Sequence, residues 1–468
     1  MIVPLSVKLF NYYIQTRYLS PKVLRHFIET PVRDVSIKVP SHYECPNFRF
    51  PDIVKAIEIQ LEGRLRTKEQ VTLRFGLEFQ QGAQEEFDED LYNNNSLFVR
   101  MLLSDQDAIY VDGARNYAEL YYTLQSVESN DLPFFATQLL TEYCFREELI
   151  HYSEDSFIKV LYDNDTNFSF IHADFVENDQ IRRLMNDFPV NITLKFALLG
   201  CGLFEWDIDD AMVEIMPYMN ELSNLFHFEV QTECIELSSK PDSEEYVDEK
   251  FPKTLTDLPG LAKFYKDSLN DDSNTIHLVL YPFALAGDSI INKTVDLKEI
   301  YSPTENTFLK LQDWGSIYFS HSPKIDSSHF TADKLHDCMW SFTEATMDFL
   351  NFPNDNMAPI LRMEMFERII TINYLFYYSD LLFTVEKWID ENSSTYINGK
   401  LVDAVIKTLE LRGSVLDDLS NGRAKESVKH CQKMIRILTS ALSDLGIFEK
   451  SKEVLSEYVS QVSAQKKA

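Results

Sequence analysis

The sequence lacks any stretch suited to crossing a membrane. A spanning helix needs about 20 mostly apolar residues, and the longest candidate, Ile372 to Phe383, is shorter and carries Asp380. It also lacks a signal peptide, because Met1 to Val7 has neither a basic start nor a long apolar stretch. Positive charge is scarce. Against 74 Asp and Glu stand 44 Lys and Arg, a net −30, and such a surface repels phosphate backbones and anionic head groups. A long basic face for nucleic acid is therefore excluded. Cysteines number six, Cys45, Cys144, Cys201, Cys234, Cys338 and Cys431. None forms a CxxC pair, which removes zinc knuckles and thioredoxin-like sites. Buried thiols and a few disulfides fit the spacing equally well; Cys201 and Cys234, which flank one predicted helix, are the first pair to test.

Motifs for catalysis are missing too. There is no G-x-S-x-G elbow for a hydrolase nucleophile, no HExxH pair for a zinc peptidase, and no GxxxxGK[ST] loop to cradle phosphates. Gly200-Cys201-Gly202 stops short of a dinucleotide fingerprint, since Glu205 stands where the third glycine belongs. Cys201 between glycines is the most tempting nucleophile, but a thiolate needs a base and a positive environment. Glu205, Asp207, Asp209 and Asp210 follow it closely and oppose ionisation, so a buried or bonded cysteine is the expectation. His277 lies within an apolar run and reads as a core histidine. Paired carboxylates such as Asp209 and Asp210 are too common here to signal glycosidase chemistry. No catalytic, cofactor or metal residue is assigned.

What is present is a large globular chain. Apolar residues make up 45% and charged residues 25% of its 468 positions, which argues against disorder. The 33 Phe and 23 Tyr supply a large core. The acidic stretches Glu85 to Asp90 and Asp242 to Glu249 read as exposed loops. Six N-x-Ser/Thr sequons begin at Asn94, Asn164, Asn167, Asn191, Asn292 and Asn392. If used, they place the chain in the secretory lumen, most simply as an ectodomain separated from its anchors.

The first 20 residues read as a juxtamembrane stem. Val35, Ile37 and Val39 then alternate with polar residues, the period of a strand. A loop from Ser41 to Phe50, a helix opened by Pro51 and a strand from Val71 to Phe79 complete a β–loop–α–β unit. The same order returns later. Ile192 to Leu199 reads as a strand and Asp209 or Asp210 caps a helix through Leu225, with Pro217 kinking or splitting it. Phe226 to Ile235 follows as a strand. Asp131 and Pro133 mark another helix start. Thr275 to Tyr281 is apolar without alternation, which predicts burial on both faces, and Trp314 to Phe319 is a further strand. From residue 329 the spacing is helical. Val402, Val405, Ile406 and Leu409 form one stripe, and Val428, Cys431, Ile435, Leu438, Leu442 and Leu445 another. The expected fold class is α/β: mixed sheet layers with flanking helices built from β-α-β units, then a C-terminal helical region. The expected partition is a stem over 1–20, an α/β domain over 21–328 and helices packed on it over 329–468.

Five blocks in order resemble the PIG-S-type subunit of GPI transamidase. They are Tyr43-Glu-Cys-Pro-Asn-Phe-Arg-Phe-Pro-Asp52, Asn130-Asp-Leu-Pro-Phe-Phe-Ala-Thr-Gln-Leu-Leu140, the strand, Trp206 and helix from 191 to 235, Asp313-Trp-Gly-Ser-Ile317 and Glu410-Leu-Arg-Gly-Ser-Val-Leu416. The resemblance runs over about residues 2 to 450. It implies a non-catalytic luminal subunit at the endoplasmic reticulum membrane, held by flanking transmembrane helices absent from this chain. It also implies partner subunits, one of them caspase-like and carrying the catalytic Cys and His. Two other readings stay open: a module binding GPI lipid or a signal peptide, and a hydrolase or transferase using Cys201.

Overall fold

A computed structural model describes residues 21–33, 35–39, 41–44, 50–65, 73–77, 97–112, 116–153, 157–162, 167–172, 184, 188–199, 205–235, 268, 274–281, 308–311, 314–319, 329–353, 357–392 and 399–447. The chain forms two compact units. One combines residues 1–186 with 353–468, and the other is the intervening stretch 187–352. This division and the linear one read from the sequence cut the chain differently, since a helix beyond residue 329 clusters with the second unit. The stem and both acidic stretches lie outside the described residues.

In the first unit, helix α1 (Pro21–Glu29) buries Leu24 and Ile28, one turn apart. Strand β1 (Val35–Val39) alternates buried and half-buried residues as its sequence dictates. Ser41–Glu44, expected as loop, is instead strand β2, because it finds a parallel partner 56 positions downstream. Helix α2 (Phe50–Leu65) turns Ile57, Leu61 and Leu65 inward at four-residue spacing. It leads to β3 (Leu73–Leu77), which pairs in parallel with β1. A second sheet has the order β2, β4 (Leu97–Leu103), β6 (Tyr117–Tyr122), β5 (Ala108–Asp112), with β5 antiparallel at the edge. Two short helices, α3 (Leu124–Glu128) and α4 (Leu132–Gln138), follow. Thr123 caps α3 through its hydroxyl. Asp131 precedes α4 but makes no side-chain cap; it accepts from the Ser129 hydroxyl instead. A π-helical turn over Leu139–Cys144 buries Leu139 and Leu140 before α5 (Arg146–His151). Strands β7 (Phe157–Tyr162) and β8 (Asn167–His172) form an antiparallel pair.

The second unit holds a five-stranded sheet. Its order is β11 (Phe226–Ile235), β9 (Val190–Leu199), β12 (Thr275–Tyr281), β14 (Gly315–Phe319), β13 (Phe308–Leu311), and only β13 is antiparallel. The expected burial of β12 on both faces holds from Ile276 to Tyr281. Between β9 and β11 the predicted helix is broken, as Pro217 requires. It runs as α6 (Ile208–Ala211), a 3-10 turn, and α7 (Met216–Glu221) with the proline in its first turn. Two-residue strands β10 (Glu205–Trp206) and β15 (His329–Phe330) pair in parallel. Helix α8 (Ala332–Phe349) packs on β12, β14 and α6, with Phe342 against Phe196 of β9 at 5.9 Å.

Back in the first unit, α9 (Pro359–Glu391) spans 33 residues, about 50 Å of helix. It is buried on nearly every side, the signature of a central helix. The apolar run Ile372 to Phe383 is its middle, so its composition answers to core packing. Among the described residues no helix is long and apolar enough to cross a membrane. Helices α10 (Gly399–Ser420) and α11 (Ala424–Asp444) are antiparallel neighbours, and both predicted stripes turn inward: Val402, Val405, Leu409, Val428, Cys431, Ile435, Leu438 and Leu442 are buried. Polar rungs fix α9 among its neighbours. Thr371 meets Ser427 at 2.8 Å, Tyr378 meets Thr408 at 2.9 Å, and Ser379 donates to the Ile28 carbonyl at 2.9 Å.

Candidate functional site

The order of the large sheet reverses at β9, where one connection leads to β11 and the next strand, β12, adds on the other side. Open α/β sheets gather ligand sites at the carboxyl ends of strands beside such a reversal. Strands β9 and β11 end level, Leu199 opposite Ile235. The Gly200-Cys201-Gly202 loop comes next and lies outside the described residues, as does Cys45. Cys234, exposed near the end of β11, is disulfide-bonded. Cys144, Cys338 and Cys431 are buried thiols. Burial, with Asp337 nearby, pushes the Cys338 thiol well up, and burial raises Cys431 as well. Neither is a ready nucleophile at neutral pH.

The other candidates divide between core and surface. His277 is buried and lies flat on the Trp314 indole, ring centroids 4.8 Å apart. Its backbone N–H donates to the Trp314 carbonyl at 2.9 Å, and the indole N–H donates to the Ser268 hydroxyl at 2.8 Å. Asp209 and Asp210 are exposed in the first turn of α6. Among the described residues, no group of three or more His, Cys, Asp or Glu is placed to hold a metal ion. Of the sequons, Asn191 is exposed on β9, Asn167 opens β8, and Asn392 closes α9 with its amide donating to the Trp388 carbonyl at 2.9 Å. Asn94, Asn164 and Asn292 lie outside the described residues.

Two features escaped sequence reasoning. The first is a buried ionic lock. Arg368 of α9 donates from Nε and Nη2 to the two oxygens of Glu148 on α5, both at 2.8 Å, and the Tyr152 hydroxyl donates to the same carboxylate at 2.9 Å. Arg368 is 2% and Glu148 0% exposed. The second is one face of the β2-β4-β6-β5 sheet. Tyr117 and Tyr121 flank Glu119 along β6 and both donate to its carboxylate, Tyr117 at 2.5 Å. That hydrogen bond, with burial behind it, raises the Tyr121 phenol. Phe98 stacks on Tyr117 at 6.0 Å, and Arg100 stands opposite Glu119 in register. Tyr110, on the edge strand, is 52% exposed. Aromatic rings with polar tips are the chemistry of protein interfaces. The period-two alternation Phe98, Arg100, Leu102 and Tyr117, Glu119, Tyr121 was the signal that could have found it.

Comparison with known proteins decides the family. Residues 25–448 match the model of the phosphatidylinositol-glycan biosynthesis class S protein, PIG-S. The chain belongs to the PIG-S family. It is 25% identical over 438 residues to the GPI transamidase component GPI17 of Saccharomyces cerevisiae, covering 90% of this chain and 76% of that protein. The PIG-S blocks now have places in the fold. The Trp-Gly block sets Trp314 against His277 and puts Gly315, at φ +140°, in register with His277. A Cβ on Gly315 would stand 2.0 Å from the His277 carbonyl oxygen, so the backbones approach as only glycine allows. The block around Asn130 sits at the turn between α3 and α4, where Asn130 takes φ 63°. The Glu410 block lies on α10, where Arg412 donates to the Pro31 carbonyl at 2.9 Å and covers the Phe27 ring.

Proposed function

We propose that this chain is a subunit of GPI transamidase, a docking body in the lumen of the endoplasmic reticulum that supports assembly of the complex, with the catalytic Cys and His in a separate caspase-like subunit. The family match across residues 25–448 carries the reading, and the relative named as a GPI transamidase component supports it. Among the described residues the cysteines favour a non-catalytic role: three are buried thiols and Cys234 is bonded. A disulfide is at home in an oxidising compartment, and the sequons suit the same side of the membrane. Cys201 is the partner we assign to Cys234. Leu198 of β9 faces Cys234 in register, and Cys201 stands three positions further along the sequence. Anchorage is through transmembrane helices of the kind the family resemblance implies, and no nucleic acid is involved.

Depletion of the protein from its native cells tests this. GPI-anchored proteins should fall at the cell surface, and their precursors should accumulate with the C-terminal signal attached. Normal anchoring after complete depletion would refute the assignment.

A further inference from the structure

The sequon Asn191-Ile192-Thr193 is written into the period of β9. Strand residues alternate between two faces. Ile192 is 0% exposed, while Asn191 on one side of it is exposed and Thr193 on the other is half-buried. The two residues that define the motif therefore share the outer face, and the residue between them fills the core. Register extends that face across β11, where His227 stands opposite Asn191 and Glu229 opposite Thr193, both exposed. Strand β12 begins at Thr275, opposite Thr193, so among the described residues only β11 flanks Asn191. An asparagine here calls for a reason. Strands disfavour Asn, and β-branched or aromatic residues suit a strand position better. No hydrogen bond of the Asn191 side chain among the described residues offsets that cost.

Asn392 makes the contrast. It is half-buried where α9 ends, and its amide serves that end by donating to the Trp388 carbonyl at 2.9 Å. We propose that Asn191 carries an N-linked oligosaccharide. The proposal rests on the luminal placement above and adds the residue that bears the glycan and the face it occupies. The bond formed joins the Asn191 amide nitrogen to the anomeric carbon of an oligosaccharide carried on a lipid pyrophosphate. The bond from that carbon to the phosphate oxygen breaks, the lipid pyrophosphate leaves with the electron pair, and the nitrogen gives up one proton. No oxidant or reductant is needed. Such a glycan is bulky and solubilising. It stands at the amino end of β9, about 26 Å along the strand from Leu199 at eight residues' rise. There it keeps one edge of the sheet in solvent and leaves docking to other surfaces.

The test uses the whole protein purified from its own membranes. Peptide:N-glycosidase digestion in heavy-oxygen water turns a glycosylated asparagine into a labelled aspartate, and the peptide containing position 191 should carry the label. Digestion of the undenatured protein should release the same glycan. Asn191→Gln should run faster on a gel by one glycan. So should Thr193→Val, which keeps a β-branched residue in the strand, whereas Thr193→Ser keeps the sequon and should keep the glycan. The label is read on the parent chain, so the test stays decisive should a variant unfold. An unlabelled position 191 with glycans on other sequons would overturn this proposal alone. A glycan released only after denaturation would overturn its solvent-facing placement. No glycan on any of the six sequons would overturn the luminal placement along with it.

Discussion

Arg368→Met should unlock the first unit. The substitution keeps most of the side-chain volume but strands the Glu148 carboxylate, 0% exposed, with the Tyr152 hydroxyl as its remaining donor among the described hydrogen bonds. Two charge-assisted hydrogen bonds of 2.8 Å are lost, each worth about 1.5–3 kcal/mol. That agrees with the roughly 3–5 kcal/mol typical of breaking a buried ion pair from one side. At about 2 °C or more per kcal/mol for a unit of this size, the melting transition should drop by roughly 6–10 °C. Replacing the whole network behaves differently, because no charge is left stranded. Glu148→Leu with Tyr152→Phe and Arg368→Met should return to within about 1 kcal/mol of the parent or exceed it. Thermal and urea unfolding followed by circular dichroism measure both. A single variant melting within about 2 °C of the parent, or a triple variant as unstable as the single, would refute the reasoning.

Gly315→Ala should destabilise the second unit by roughly 3 kcal/mol or more, since strain at φ +140° adds to the clash with the His277 backbone; hydrogen exchange at β12 and β14 amides reports it. Asn373→Leu should stabilise the first unit by about 1–3 kcal/mol, because this side chain on α9 is 1% exposed and its amide has no hydrogen-bond partner among the described residues; urea unfolding measures it, and a loss of stability would count against the assignment. His329 is held above its ordinary value chiefly by its hydrogen bond to Asp207, which outweighs desolvation, with Glu205 adding a smaller push. Its pairing across β10 and β15 is therefore complete below the unfolded value of about 6.5 and is lost as pH rises through the folded one. An NMR titration should place the imidazole above 6.5, and Asp207→Asn should bring it down. Peptide mapping without reduction should recover Cys201 joined to Cys234; a Cys234 peptide linked elsewhere would break that pairing.

How much of this was legible depended on range. Segments shaped by burial showed plainly. Thr275–Tyr281 has no alternation because both faces are covered, and the stripes of α10 and α11 lie at helical spacing because each helix hides one side. Pro217 announced the break between α6 and α7 because a missing N–H acts locally. Pairings formed across the chain left little trace. Ser41–Glu44 is polar and looks like loop, and only β4, far downstream, makes it a strand. Arg368 and Glu148 stand 220 positions apart, and neither residue looks unusual beside its own neighbours. The Trp-Gly block was recognisable as a resemblance, but why glycine is required emerged only when His277 appeared across the sheet. The exposure of Trp340 was hidden by abundance: among so many aromatic residues, sequence cannot say which stay outside.

The account turns on this chain working as one part of a multi-subunit transamidase. Its most direct test is purification of the tagged protein from its own membranes in mild detergent, with the recovered chains identified and transamidation assayed. The account predicts a caspase-like peptidase recovered in stable stoichiometry and activity that disappears when that peptidase's catalytic cysteine is replaced. Recovery of this chain alone, or activity that persists in its isolated form, would contradict it.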